Sequence, residues 1–386
     1  MKLKDRFLHT DSILLAGLLL GVIKAASGPA TVLPIPEWLD NLMTLAMCLC
    51  YGLHVLLQKP GRKRLLAYGA AAGIGAYSSL RSGDMSGMIT LLTCIALADC
   101  DFERIMKKLF QWNLALFFIK AALSLGLALI YGPEGPLTHE YVNNSSGYLD
   151  VDFAVHLGFG HKNSLAMYMV SIFLMWVWVY YPKLQVKHLL PVIAGCTVLL
   201  FLNQCKTACL IFLFIGLLFV FFRWRKQNYS LPVQIGAAIA PTAMFLLSLG
   251  LTYLYRCQPN FIANLFNRVL TGRLHICAVA WDQYGPSFFG NLASHINQIE
   301  NRMAYIDNLY LHTVLQMGAI WSIAFCIAFF LLAKKRKDVR VHLCILCWCL
   351  YAFVENVGIN GLIFVPSLLP ALLLSPKKNP DPQLTQ

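Results

Sequence analysis

Long apolar stretches alternate with short polar ones along the whole chain. They fall at roughly 11–28, 39–58, 65–81, 86–100, 109–131, 164–182, 188–204, 206–222, 232–254, 308–333, 341–358 and 361–374. A helix that crosses a bilayer needs about 20 mainly apolar residues. The pattern therefore predicts an all-α, polytopic membrane protein with about twelve transmembrane helices. Two polar intervals are long, 132–163 and 255–307. The second contains Ile262, Leu265, Phe266, Val269 and Leu270 at helical spacing, which predicts one or two helices on the outer surface. Residues 1–375 read as a single transmembrane domain, and 376–386 as a disordered cytoplasmic tail. The start MKLKDRF followed by LLAGLLLGVI reads as a first anchor, not a cleaved leader.

Composition agrees with the pattern. Apolar residues make up 58% of the chain and charged residues 13%, against about 25% charged in soluble domains. So few charges would not keep a soluble surface of this size wet. A lipid-facing surface removes that demand.

The basic residues give an independent test, because short cytoplasmic loops collect Lys and Arg. With the N-terminus placed inside, Lys2, Lys4 and Arg6 lie in the cytoplasm. So do Lys59, Arg62, Lys63 and Arg64; Arg104, Lys107 and Lys108; Lys183 and Lys187; and Arg223, Arg225 and Lys226. The set closes with Lys334, Lys335, Arg336, Lys337 and Arg340, then Lys377 and Lys378. That places 22 of 31 basic residues inside, alternating at every loop. Both termini are then cytoplasmic, in the cytoplasmic (inner or plasma) membrane. The net charge of +13 thus follows mostly from topology, and nucleic acid is not an expected partner. The 13 cysteines, most of them in apolar runs, read as packed thiols.

Nine cations go against the trend: Lys24, Arg81, Lys120, Lys162, Lys206, Arg256, Arg268, Arg273 and Arg302. A charge at the bilayer centre costs about 3 kcal/mol or more, so each asks for a partner. One answer is a nearby carboxylate such as Asp84, Glu300 or Glu355. The other is an anionic ligand on the outer face.

No Walker loop, GxGxxG, HExxH or zinc spacing occurs, and neither a metal nor a cofactor is expected. Asp99-Cys-Asp101 and Asp150-Val-Asp152 are short acidic pairs that helix ends and loops explain. Four segments are better placed for chemistry. Gly158-Phe-Gly-His161-Lys162-Asn163-Ser164 enters a helix, with Asn163 or Ser164 as its cap. Free N–H groups there, with His161 and Lys162, suit an anion. Asn203-Gln-Cys-Lys206-Thr is a tight turn. Thr271-Gly272-Arg273 lies in the second long loop. Ile306-Asp307-Asn308-Leu-Tyr310 re-enters the membrane. Asp307 is either a cap or a base at the water boundary, where partial desolvation would raise its pKa. Lys120 falls mid-helix, where a lysine is a functional suspect. Trp281, Tyr284 and Tyr305 would join an interfacial belt or stack on a ring-bearing ligand.

In this order, GFGHKNSLAMYM, NQCKTACLIF, TGR and IDNLYLHTVLQMGAI resemble the Wzy-type polysaccharide polymerase and O-antigen ligase superfamily, and more narrowly its exopolysaccharide and capsule polymerases. The resemblance implies an outer-face glycosyltransferase that polymerises undecaprenyl-pyrophosphate-linked oligosaccharide repeat units. The transfer would be inverting and metal-independent, for exopolysaccharide, capsule or O-antigen synthesis. It implies catalytic roles for Arg273 and Asp307. It matches Lys206 to the family's basic turn residue; the stranded cations Lys162, Arg81, Lys120, Arg256 and Arg268, with His161 and Asn308, are the other candidate pyrophosphate-binding residues. Implied partners are membrane lipids and the flippase and chain-length regulator of the same pathway. Lys206 stands where the family has Arg, which loses the bidentate fork. Asp307 stands where ligases have His, which speaks against a ligase. A flippase for the same lipid-linked substrates, an O-antigen-ligase-like transferase and a non-catalytic scaffold are the competing readings.

Overall fold

The computed structural model describes residues 3–28, 31–134, 138–143, 150–258, 260–270, 272–291, 298–299, 302–303 and 306–375. Thr271, Glu300, Tyr305, Asn144 to Ser146 and the tail 376–386 lie outside the described residues. So do the side chains of Lys2, Lys4, Arg6, Asp150, Asp152 and Arg302.

The apolar runs fold as helices: α1 (Leu3–Ala26), α2 (Glu37–Leu57), α3 (Arg62–Ser82), α4 (Ser86–Ala96), α5 (Phe102–Tyr131), α6 (Lys162–Tyr180), α7 (Val186–Leu202), α8 (Lys206–Trp224) and α9 (Leu231–Cys257). The second long loop supplies two helices, α10 (Phe261–Val269) and α11 (Arg273–Tyr284). Then come α12 (Leu309–His312), α13 (Ala319–Lys335), α14 (Val339–Val354) and α15 (Ala371–Leu374). Each long loop also holds a small antiparallel hairpin. In the first, β1 (Thr138–Asn143) pairs with β2 (Asp150–Val155). In the second, β3 (Gln298–Ile299) pairs with β4 (Arg302–Met303).

Among the described residues, five helices are long and apolar enough to cross a membrane: α2, α5, α6 with the turn after it, α8 and α9. Their apolar length marks a membrane protein. Large side chains point outward without cover, as Leu129 (89% exposed), Leu80 (79%) and Leu210 (68%) do. Water would penalise that surface and lipid would not.

The remaining runs are shorter helices or broken ones. The run 86–100 gives an 11-residue helix. Asp99 and Asp101 interrupt it: Asp99 pairs with Arg64, and Asp101 caps α5 through the Arg104 amide. The run 308–333 is interrupted by a π-helical turn, Thr313–Met317, and by Gly318 at φ 112°. The run 361–374 holds a short 3-10 turn, Val365–Leu368, around Pro366 and the four-residue α15.

Helices pack in pairs: consecutive α1 with α2, α3 with α4, α5 with α6 and α7 with α8, and, across the chain, α9 with α13 and α14. Side-chain contacts between their loops gather at two ends. One end is tied together by basic residues. Arg64 binds Asp99 and the Leu374 carbonyl, Arg340 binds Glu103 and the Trp178 carbonyl, and Arg223 bonds the Pro182 carbonyl. The other end joins the loops before α6, α8, α11 and α12. The core between them is densely aromatic. Trp348 of α14 is buried against Phe325, Phe329 and Tyr310. Cys344, Cys347 and Cys349 are buried there as free thiols.

The break at Gly318 is filled by chain from another place. The loop after α11 lies across it: the Ser287 amide donates to the Val314 carbonyl (2.8 Å), and the Asn291 amide to that of Gln316 (2.8 Å). In return the Ala319 amide donates to the Ser287 carbonyl (2.9 Å). Polar backbone inside a membrane protein persists only when satisfied in this way. The contact is close enough that a Cβ on Gly290 would meet two carbonyl oxygens at 2.8 Å.

Candidate functional site

Three helix N-termini and one C-terminus meet at the end opposite the basic loops. Glu355 follows the last residue of α14 and accepts a hydrogen bond from Asn163 Nδ2 of α6 (2.9 Å). The Cys205 thiol, directly before α8, lies 3.8 Å from Asn163 Oδ1. Arg273 is the first residue of α11. Its Nε sits 3.0 Å from Asp307 Oδ2 and its Nη2 3.3 Å from Glu355 Oε1. Its Nη1 donates to the Val354 carbonyl. Arg273 thus joins α11, the re-entry point and the end of α14. Gly272, at φ 83°, makes the turn that starts α11 and aims Arg273 inward.

The electrostatics are strained by desolvation. Burial pushes the Glu355 carboxyl up to about 7. Arg273 opposes the shift and the Asp307 charge adds to it. Burial also raises Asp307 above its ordinary value, against the pull of Arg273 and His312. Two carboxylates sharing one guanidinium cannot both ionise freely. The three N-termini point partial positive charge at the same place, which favours an anion there.

Asn308 is buried and caps α12, accepting from the Leu311 amide (3.0 Å). Its Nδ2 donates to Ser248 Oγ (3.0 Å) and to the Phe353 carbonyl (2.8 Å). It braces the re-entry against α9 and α14. One turn deeper, His312 Nε2 lies 3.6 Å from Asp84 Oδ2. Burial raises Asp84, but bonds from His312 and Ser86 outweigh it and leave the carboxyl below its ordinary value.

The other expected residues divide. Lys162 opens α6 beside Asn163, and Lys206 opens α8 beside Cys205, so both belong to this end. Lys206 is exposed. His161, not Asn163 or Ser164, caps α6: its Nδ1 accepts from the Asn163 amide (3.1 Å). That nitrogen is therefore occupied by the fold. Lys120 is 1% exposed; it donates to the Ala26 carbonyl (2.5 Å) and sits 4.0 Å from the Phe159 ring centroid. A backbone carbonyl and a π face thus take up its charge. Arg256 pairs with Asp282, and Lys24 with Asp40. Arg81 and Arg268 are exposed and form no ion pair among the described residues. None of these contacts joins Lys120, Arg256, Arg268 or Arg81 to the Arg273 group.

Glu355, Asn163 and His312 belong to the site and were not expected as functional residues. Glu355 entered the sequence reading only as a neutralising carboxylate. A lone acid at the edge of an apolar run was the available signal. Asn163 was expected only as a cap.

No family model matches the chain, and no curated protein or solved structure does either.

Proposed function

We propose that the chain is a glycosyltransferase that polymerises polyprenyl-diphosphate-linked oligosaccharide repeats at the extracytoplasmic face of the cytoplasmic membrane. The observation that supports it is the meeting of the α6, α8 and α11 N-termini around the Arg273, Asp307 and Glu355 group. In this reading the shorter apolar helices complete a bundle of about twelve spans. The basic end is cytoplasmic, with both termini there, and the Arg273 end faces outward.

The step is a displacement. The acceptor hydroxyl oxygen forms a bond to the anomeric carbon of the donor sugar. The bond from that carbon to the diphosphate oxygen breaks, and its electron pair leaves with the diphosphate. Configuration inverts. Arg273, Lys162 and Lys206 lie where the departing charge develops, and preorganised cations stabilise it more than water does. Diphosphate binding draws Arg273 away from Asp307. The freed carboxylate, raised by burial, then takes the hydroxyl proton.

The test is elongation by purified protein supplied with polyprenyl-diphosphate repeat units. A ladder of products from wild type, lost in Arg273→Ala and Asp307→Asn at normal protein level, supports the reading. Movement of labelled substrate across vesicles without elongation would favour a flippase instead.

A further inference from the structure

Helix α10 carries an apolar stripe that faces away from the protein. Phe261 is 81% exposed and Val269 67%, with Ile262 and Leu265 also exposed between them. At 3.6 residues per turn these four fall within one sector of about 100°. The opposite side, with Ala263, Phe266 and Leu270, packs inward. A nine-residue helix is marginal in water even when its sequence favours helix. An uncovered apolar stripe makes it more so.

The position of α10 limits what can cover the stripe. α9 is one of the long apolar helices, and its outward side chains Ile239, Leu246 and Tyr253 are uncovered as well. Only residues 258–260 separate the end of α9 from the start of α10. Three residues span about 10 Å at most, so α10 lies at the level where α9 leaves the hydrocarbon. Arg268 is exposed at the edge of the stripe, and the helix contains no acidic residue. That charge suits a layer of phosphate headgroups. Trp281 and Tyr284 of neighbouring α11 are the side chains usual at that depth.

We propose that α10 lies in the membrane interface, with Phe261, Ile262, Leu265 and Val269 seated among the acyl chains of the surrounding leaflet. The helix is bonded to the start of α11. The Gly272 amide donates to the Asn267 carbonyl (2.8 Å), and the His275 amide to Asn267 Oδ1 (3.1 Å). Seating α10 in the leaflet therefore sets the depth of Arg273, one residue beyond that bond. This surface assignment is independent of the reaction proposed above.

The experiment places the photocrosslinker benzoylphenylalanine at position 261 or 269 of the full chain. The protein is held in nanodiscs of phosphatidylethanolamine and phosphatidylglycerol. Position 246 on α9 serves as the lipid-facing reference and position 264, on the polar edge of α10, as the contrast. Mass spectrometry is expected to find phospholipid adducts at 261 and 269 as abundant as at 246, and several-fold above 264. Adducts to a second copy of the chain, or none at 261 and 269 while 246 labels, would overturn the proposal. Absence of lipid adducts at all four positions would overturn it too. Phe261 and Val269 are exposed, so replacing them leaves the core intact.

Discussion

Arg273 Nε lies 3.0 Å from Asp307 Oδ2, which ties the start of α11 to the point where the chain re-enters the bundle. The same guanidinium also holds Glu355 and the Val354 carbonyl. Removing it strands two carboxylates at once. For this partly exposed group the loss is about 1–3 kcal/mol, discounted from the value for fully buried pairs. Arg273→Ala is expected to lower the melting temperature in detergent and abolish elongation. Arg273→Lys is expected to recover most of the stability and little of the activity, because a point charge cannot span both carboxylates.

Glu355 gives the site a pH signature. Its folded pKa of about 7 lies above its ordinary 4.5. The protonated form is thus favoured by folding. The stability it contributes is fully present below pH 4.5 and is lost as pH rises through about 7. Melting temperatures measured across that window should fall with pH in wild type. Glu355→Gln should flatten the slope. An unchanged slope would show that the carboxyl is not desolvated.

The cations do not contribute equally. Lys206→Ala should reduce elongation, because Lys206 opens α8 beside the Arg273 group. Arg256→Ala should leave elongation near wild type, since its exposed pair with Asp282 is a surface contact of little energetic weight. Side-by-side rates at equal protein level separate the two. Equal losses would mean that charge at this end matters more than placement.

Much of this was legible in the chain. The twelve runs marked nearly every helix, and the alternation of Lys and Arg anticipated which loops share an end. Arg273, Asp307 and Asn308 were selected by position, and the first two form an ion pair. What was hidden is contact between distant segments. Glu355 lies 82 residues from Arg273, and no spacing rule joins them. The cap at His161 was missed because Asn and Ser are the usual caps and both follow it. The break at Gly318 was missed because the run around it is uniformly apolar. The deciding residue there is a glycine whose φ cannot be read from hydropathy. Lys120 drew suspicion as a buried charge, and only the fold supplies the carbonyl and ring that hold it.

Asn308→Ala tests the brace at re-entry. It removes a cap and two buried hydrogen bonds, for a loss of about 1–3 kcal/mol. Thermal unfolding of the purified variant checks this. A melting temperature equal to wild type would mean that the Ser248 and Phe353 contacts carry no weight.

Gly318→Ala probes the patched break. A Cβ there would meet the Phe288 carbonyl oxygen at 2.8 Å, at a φ that side chains rarely adopt. The expected loss is about 1–3 kcal/mol or more, read as a lower melting temperature.

That patch has a mechanical result. The segment carrying Arg273 is anchored downstream, because Ser287 and Asn291 are stitched to the carbonyls that the π-helical turn leaves open. It is anchored upstream by α10. A segment pinned at both sides keeps the backbone at Arg273 in register with the bundle. Any rearrangement at the site therefore falls to the arginine's side chain and not to its backbone.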